Sequence, residues 1–267
     1  MEVIIQKTAN EASRLVASLI TRELKIKPSL VLGLATGRTM EQVYAHLVKT
    51  HKEQALNFSR CRTFNLDEYV GIPADHPGSY RHYMDTCLFS HVNIAKRNTH
   101  LPDGTARNLA VECRKYERLI NQCGGIDFQL LGIGHDGHIG FNEPLSALRS
   151  RTREKALTRD TLKRNAEMFG NNPDNVPRRA ITMGVGTILE SKRCVLLATG
   201  KNKALILSKA VEGPITSMIS ASALQLHPHC TIVVDEAAAS KLRGVDYYRW
   251  LFVNEPEWQE FRARQSF

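Results

Sequence analysis

Short apolar runs that stop at a glycine or an acid recur along this chain. Ser29–Ala35 runs into Thr36-Gly37, Cys61–Leu66 into Asp67-Glu68, and Phe128–Gly134 reaches Asp136-Gly137. Ala180–Gly184, Cys194–Gly200 and Thr231–Asp235 complete the set. Runs of this length suit strands covered on both faces. Helix-like stretches lie between them, at Thr39–Thr50, Ala106–Asn121 and Asn202–Val211; in the second, Glu112, Tyr116 and Leu119 recur at helical spacing. Such alternation predicts parallel strands joined by right-handed crossovers. The expected fold is α/β, a Rossmann-like, doubly wound and mostly parallel sheet, in a single domain over residues 1–267. Residues 145–179 lack a strong apolar period and read as an excursion over the site, with a lid at about residues 158–184.

Composition adds little beyond exclusions. With 42% hydrophobic and 24% charged residues in 267, the chain is not disordered, collagenous or a coiled coil. No apolar run approaches the roughly 18 residues a membrane span needs. Met1–Lys7 lacks a basic stretch followed by an apolar one, so a cytoplasmic protein without membrane partners is expected. The six cysteines are scattered, with no C-x-x-C pair, which argues against a zinc ribbon or a dithiol redox motif and for reduced thiols that fill the core.

Charge changes the picture more. The chain carries a net charge of +9, and residues 149–179 hold nine basic residues against four acids. A solvated basic face, a nucleic-acid patch and a funnel for small anions all fit this excess. Only Phe169 interleaves with those charges, so base stacking is poorly supported and no nucleic-acid partner is expected. An anionic metabolite fits better.

In a doubly wound sheet, ligands bind beyond the carboxyl ends of the strands, and there this chain concentrates its polar residues. Gly33–Thr39 offers backbone N–H groups at a helix start, hydroxyls from Thr36 and Thr39, and the guanidinium of Arg38. Together these suit an anion, although a tight turn with Thr39 as N-cap reads equally well. It is neither a dinucleotide fingerprint nor a P-loop. In Phe64–Tyr69, the neighbouring Asp67 and Glu68 cannot both face one site, because strand side chains alternate. A desolvated carboxylate there can abstract a carbon-bound proton, while the bland alternative is a pair of acids capping a turn. Gly132–Pro144 is the strongest segment. Its glycines, Gly137 among them, allow close backbone approach to a ligand, and it holds Asp136, His138 and Glu143 within eight residues. An acid–imidazole–acid group can shuttle protons near neutral pH. His135, Asp136, His138 and Glu143 are also metal-ligand types, but their spacing matches no zinc motif. Gly200–Ala204 places Lys201 and Lys203 where a helix begins, a position a cation tolerates better with an anion nearby.

Taken together, these stretches resemble the glucosamine-6-phosphate deaminase family, also called glucosamine-6-phosphate isomerase. The resemblance lies in Leu32–Thr39, TFNLDEYVG at residues 63–71, HPGSY at 76–80, LGIGHDGHIGFNEP at 131–144, SRTR at 150–153, TMGVGTIL at 182–189, Lys203–Gly213 and Leu224–Pro228. Residues 243–267 match much less well. It implies a Rossmann-like fold, a homo-oligomer that is usually a hexamer, no metal and no organic cofactor. The implied reaction turns glucosamine 6-phosphate and water into fructose 6-phosphate and ammonia. His138 would open the sugar ring, with Asp136 and Glu143 orienting it. Asp67 would move the C2 proton to C1. Thr36, Gly37, Arg38, Thr39, Gly137 and Lys203 would bind the substrate. Ser146, Arg153, Lys155 and Tyr247 match positions at which some members bind an activator, N-acetylglucosamine 6-phosphate.

This chain departs from the family at two positions. Arg38 stands where glycine is common, and Glu167 stands where a phosphate-binding lid arginine is common. The expectation is an exchange, in which Arg38 supplies the lost cation and Glu167 pairs with it or turns away. Galactosamine-6-phosphate deaminase, 6-phosphogluconolactonase and a non-catalytic sugar-phosphate sensor are the alternatives. A lactonase or a sensor has no use for a C2 base such as Asp67.

Overall fold

The computed structural model describes residues 1–263. Its strands are β1 (Glu2–Gln6), β2 (Val31–Leu34), β3 (Arg62–Asn65), β4 (Asp67–Tyr69), β5 (Thr99–His100), β6 (Phe128–Leu131), β7 (Arg153–Ala156), β8 (Arg179–Thr182), β9 (Cys194–Ala198) and β10 (Cys230–Asp235). The helices are α1 (Ala9–Ile26), α2 (Arg38–Gln54), α3 (Tyr80–Cys87), α4 (Leu109–Gln122), α5 (Arg159–Asn165), α6 (Val185–Leu189), α7 (Ala204–Glu212), α8 (Glu236–Ala239), α9 (Val245–Asn254) and α10 (Gln259–Ala263). Seven strands form one sheet in the order β1-β10-β9-β6-β2-β3-β5, every neighbouring pair parallel. The remaining strands form an antiparallel sheet, β4-β8-β7.

The parallel sheet follows from its residues. Every residue of β9 and β10 is buried, as strands covered by helices on both faces must be. After β1, at the edge beside β10, the chain enters the middle of the sheet at β2, builds outward through β3 and β5, then returns to the other side of β2 with β6, β9 and β10. The order therefore reverses between β2 and β6, and a crevice opens beyond their carboxyl ends.

Several local expectations are corrected. Residues 180–184 were expected to join the parallel sheet, but β8 pairs antiparallel with β4 and β7. An apolar run reports burial and not its partner. Here β8 is buried against a separate cluster of Tyr69, Tyr80, Phe141, Leu157 and Phe169. Helix α2 begins at Arg38 with Gly37 as its N-cap (φ 114°), so Thr39 is not the cap. Helix α4 starts three residues later than expected, at Leu109, because the Asn108 side chain accepts the Val111 N–H. Helix α7 starts at Ala204, after a single tight turn at Lys201–Lys203. The sequence reading passed over β1 and α1. Yet Thr8 and Glu11 form a reciprocal capping box at the α1 start, worth about 1 kcal/mol. All six cysteines are free thiols, four of them buried. The predicted divergent segment 243–267 contains α9 and α10, and residues 264–267 of it lie outside the described residues.

Candidate active site

A cavity of about 300 Å³ opens at the reversal point. Its walls come from the loop after β2, the strand tip at Asp67, the loop after β6, the turn before α7 and the face of α5. Thr36, Gly37, Arg38, Thr39, Asp67, Asp136, His138 and Lys203 all line it.

The loop after β2 is fixed by two tyrosines. The Tyr44 hydroxyl donates to the Ala35 carbonyl, and the Tyr83 hydroxyl donates to the Gly37 carbonyl at 2.9 Å. In the first turn of α2 the Met40 N–H donates to the Gly37 carbonyl at 2.9 Å, while the N–H groups of Arg38 and Thr39 have no preceding turn to bond and are suited to an anion. Across the cavity, the Lys203 Nζ donates to the Ile133 carbonyl at 2.8 Å. Burial, and then the charge of Arg164, hold the Lys203 pKa below that of a free lysine.

Strand alternation separates the two acids of β4. Asp67 faces the cavity and is 6% exposed. Glu68 turns the other way and accepts the N–H groups of Tyr69, Tyr80 and Arg81 at 2.8–3.0 Å, capping α3. Burial, with the nearby Glu68 charge, pushes Asp67 up to about 8, and the His138 charge offsets only part of this. A carboxyl so raised is a stronger base once it ionises.

The loop after β6 brings its polar residues together. His138 Nδ1 lies 2.7 Å from Asp136 Oδ1 and 3.4 Å from Glu143 Oε2. Neither approach is well aligned, so these contacts are ion pairs rather than directed hydrogen bonds. The Asp136 carboxylate also accepts the His138 backbone N–H at 3.1 Å. Burial opposes charge on the imidazole, but the two carboxylates outweigh it and raise His138 to about 9. Asp136 is driven the other way: burial resists ionisation, and the His138 proton wins. Two glycines make this packing possible. A Cβ on Gly134 would sit 2.2 Å from the His138 ring. One on Gly140 (φ +56°) would sit 2.8 Å from Thr182 Oγ1 and 3.3 Å from Asp67 Oδ2. The Asp67 strand and the His138 loop thus meet at Gly140. Gly137 has φ +91°, and its carbonyl accepts the Ala221 N–H.

Helix α5 roofs the cavity with Asp160, Thr161, Arg164 and Asn165. Thr161 Oγ1 donates to Glu143 Oε1 at 2.6 Å, and Asn165 Nδ2 donates to the Tyr69 hydroxyl at 2.7 Å. The sequence reading missed these residues. Their signal was the polar spacing i, i+3, i+4 at 161, 164 and 165, which puts them on one helix face.

Arg38 and Glu167 are joined by an ion pair. Of the proposed effector residues, Arg153 donates to Ser146 Oγ at 3.1 Å and to Asn142 Oδ1 at 2.8 Å. Lys155 lies two residues along β7. Tyr247 is not brought to them within the described residues: it is 60% exposed on α9, which packs on β1. Three of the nine basic residues at 149–179 form ion pairs. Arg151 pairs with Glu117 and Glu190, Arg164 with Asp160, and Arg179 with Glu154. Asp136, His138 and Glu143 also offer three ligand atoms within 4.8 Å of one another, a set that could take a divalent ion. His135 is not part of that set. No helix among the described residues is long and apolar enough to cross a membrane.

Comparison with known proteins agrees with this geometry. The family described as glucosamine-6-phosphate isomerases/6-phosphogluconolactonase matches residues 5–233. The glucosamine-6-phosphate deaminase of Hahella chejuensis is 49% identical over 94% of this chain and 95% of its own. That of Cellvibrio japonicus is 51% identical over 93% of this chain and 94% of its own. A solved structure of a monomeric glucosamine-6-phosphate deaminase superposes with a TM-score of 0.88 at 44% identity, covering 90% of this chain and 100% of that one. The hexamer implied by the sequence resemblance therefore finds no support in that relative. A 6-phosphogluconolactonase from Trypanosoma cruzi shares the fold, with a TM-score of 0.72 at 21% identity over 91% of this chain and 97% of that one.

Proposed function

The chain belongs to the glucosamine-6-phosphate isomerase/6-phosphogluconolactonase family, and from that premise we propose that it is a deaminase. It converts glucosamine 6-phosphate and water into fructose 6-phosphate and ammonia. The observation that carries this reading is the shared cavity of Asp67 and His138. A lactonase needs no base at C2, and a sensor needs neither group.

The residues gathered at the cavity support each step of this reading. The phosphate is held by Thr36, Gly37 and Thr39 on one side and Lys203 on the other, with the Gly137 turn against the sugar. His138, protonated at neutral pH by its two carboxylates, donates to the ring oxygen and takes the proton of the anomeric hydroxyl, leaving an open-chain aldehyde. Asp136 and Glu143 hold the imidazole. Ionised Asp67 removes the C2 proton while His138 returns to the C1 oxygen the proton it took, giving an enolamine with its double bond between C1 and C2. Returning that proton to C1 leaves an iminium at C2. Water adds there, ammonia leaves, and the ketose remains. Proton transfer through positioned side chains suffices for every step, so neither metal nor organic cofactor is invoked.

The functional unit in this reading is one domain, with a lid over residues 158–184 whose last strand, β8, belongs to the small sheet. A cytoplasmic setting goes with the phosphosugar substrate. Assembly as a hexamer rests on sequence resemblance alone, and light scattering will distinguish it from a monomer. Activation by N-acetylglucosamine 6-phosphate through Ser146, Arg153 and Lys155 predicts sigmoidal kinetics that this compound abolishes.

A coupled assay for ammonia and fructose 6-phosphate tests the activity. Wild type should form both in equal amounts, and Asp67→Asn neither. Faster turnover of galactosamine 6-phosphate would shift the substrate to the C4 epimer. Hydrolysis of a phosphogluconolactone without ammonia release would replace the reading.

A further inference from the structure

We propose that Arg164 is the lid's cation for the substrate phosphate, and that Arg38, whose guanidinium lies in solvent beside Glu167, does not take that role. The proposal rests on the reading of a phosphosugar substrate.

Arg164 lies on the cavity face of α5, between two anchors. Thr161 ties that face to Glu143, and Asn165 ties it to Tyr69. The side chain is therefore carried by an element docked onto the catalytic groups. Opposite it stands Lys203, which has no acidic partner within ion-pair distance among the described residues. The two cations are close enough for Arg164 to depress Lys203. Like charges converging on one cavity from opposite walls are costly unless an anion joins them.

Arg164 now rests on Asp160, with Nε 2.7 Å from Oδ2 and both side chains about half exposed. Such a pair on a helix surface is weak. A phosphate, with more charge and more acceptor oxygens than a carboxylate, outcompetes it. Arg164 then exchanges Asp160 for the substrate, and Asp160 turns to solvent. Arg38 is in a different position. Its side chain is 79% exposed, against 49% for Arg164, and its guanidinium meets Glu167, which α5 and its following turn bring over the α2 start, in solvent. This pair adds no net charge at the anion and joins the lid to the phosphate loop.

The test measures binding of inorganic phosphate and of glucosamine 6-phosphate by calorimetry, on wild type, Arg164→Gln, Asp160→Asn and the double variant Arg38→Gln/Glu167→Gln. Circular dichroism checks folding, which these exposed positions should not disturb. Arg164→Gln should weaken both ligands roughly 10- to 100-fold, as losing a charged hydrogen bond does. Asp160→Asn should tighten them, and the double variant should stay within about threefold of wild type. Arg164→Gln within about twofold of wild type would overturn the proposal. So would a double variant as weak as Arg164→Gln. Phosphate binding that follows the expected order in a protein releasing no ammonia would instead count against the deaminase reading alone.

Discussion

Asp67 is held where its charge is costly, so replacing it with asparagine should stabilise the fold, and more so at higher pH. The folded carboxyl titrates at about 8 because it is buried beside Glu68. In the unfolded chain the same group titrates at about 3.9. An acid whose folded value is raised contributes stability below the unfolded value and loses it as pH climbs toward the folded one. Each pH unit in which the folded group keeps a proton that the unfolded chain has released costs about 1.4 kcal/mol. Between pH 5 and pH 8 the cost accumulates to about 3–4 kcal/mol. The asparagine amide has nearly the same shape as the carboxyl group and does not titrate. Urea denaturation of wild type and Asp67→Asn at several pH values in this range should show the variant's advantage growing by about 3 kcal/mol. An advantage that does not change with pH would mean that Asp67 titrates as an ordinary carboxyl, and the argument from burial would fail.

Three further outcomes follow from the same geometry. The profile of kcat/KM against pH should be a narrow bell, rising through about 8 as Asp67 loses its proton and falling above about 9 as His138 loses its own. Asp136→Asn should move the falling limb to lower pH; a limb that stays put would dissociate it from His138. Thr161→Val should lower kcat by about tenfold with KM changed less than threefold, and Thr161→Ser should restore most of it, since the hydroxyl and not the methyl holds Glu143. Equal losses in both variants would reduce Thr161 to packing. Exhaustive treatment with a chelator should leave turnover unchanged, and a loss restored by a divalent ion would mean that Asp136, His138 and Glu143 hold a metal.

The parallel sheet was legible because β2, β6, β9 and β10 are buried throughout and mostly apolar, and burial on both faces leaves that mark. Asp136, His138 and Glu143 stood out because an acid, an imidazole and a second acid in one glycine-rich loop have few structural uses together, and Asp67 stood out as a carboxylate at a strand tip. The small sheet was not legible. Strand β7, Arg153–Ala156, is short and polar, and its pairing with β8 is set by the chain's path. The roof over the cavity was hidden for a related reason. Thr161 and Asn165 are ordinary surface types, and their value comes from Glu143 and Tyr69, which the fold brings from 18 and 96 residues away. Arg38 and Glu167 were visible as oddities, and of the two outcomes expected for Glu167 the structure shows the pairing with Arg38.

The central claim is that Asp67 takes the hydrogen from C2 of the aminosugar. It is tested most directly by following glucosamine 6-phosphate deuterated at C2 in ordinary water by NMR. With wild type, deuterium should leave C2 and appear in water or on one face of C1 of the product. With Asp67→Asn, which still binds the phosphosugar, it should stay. Release from C2 at the wild-type rate in that variant would contradict the account.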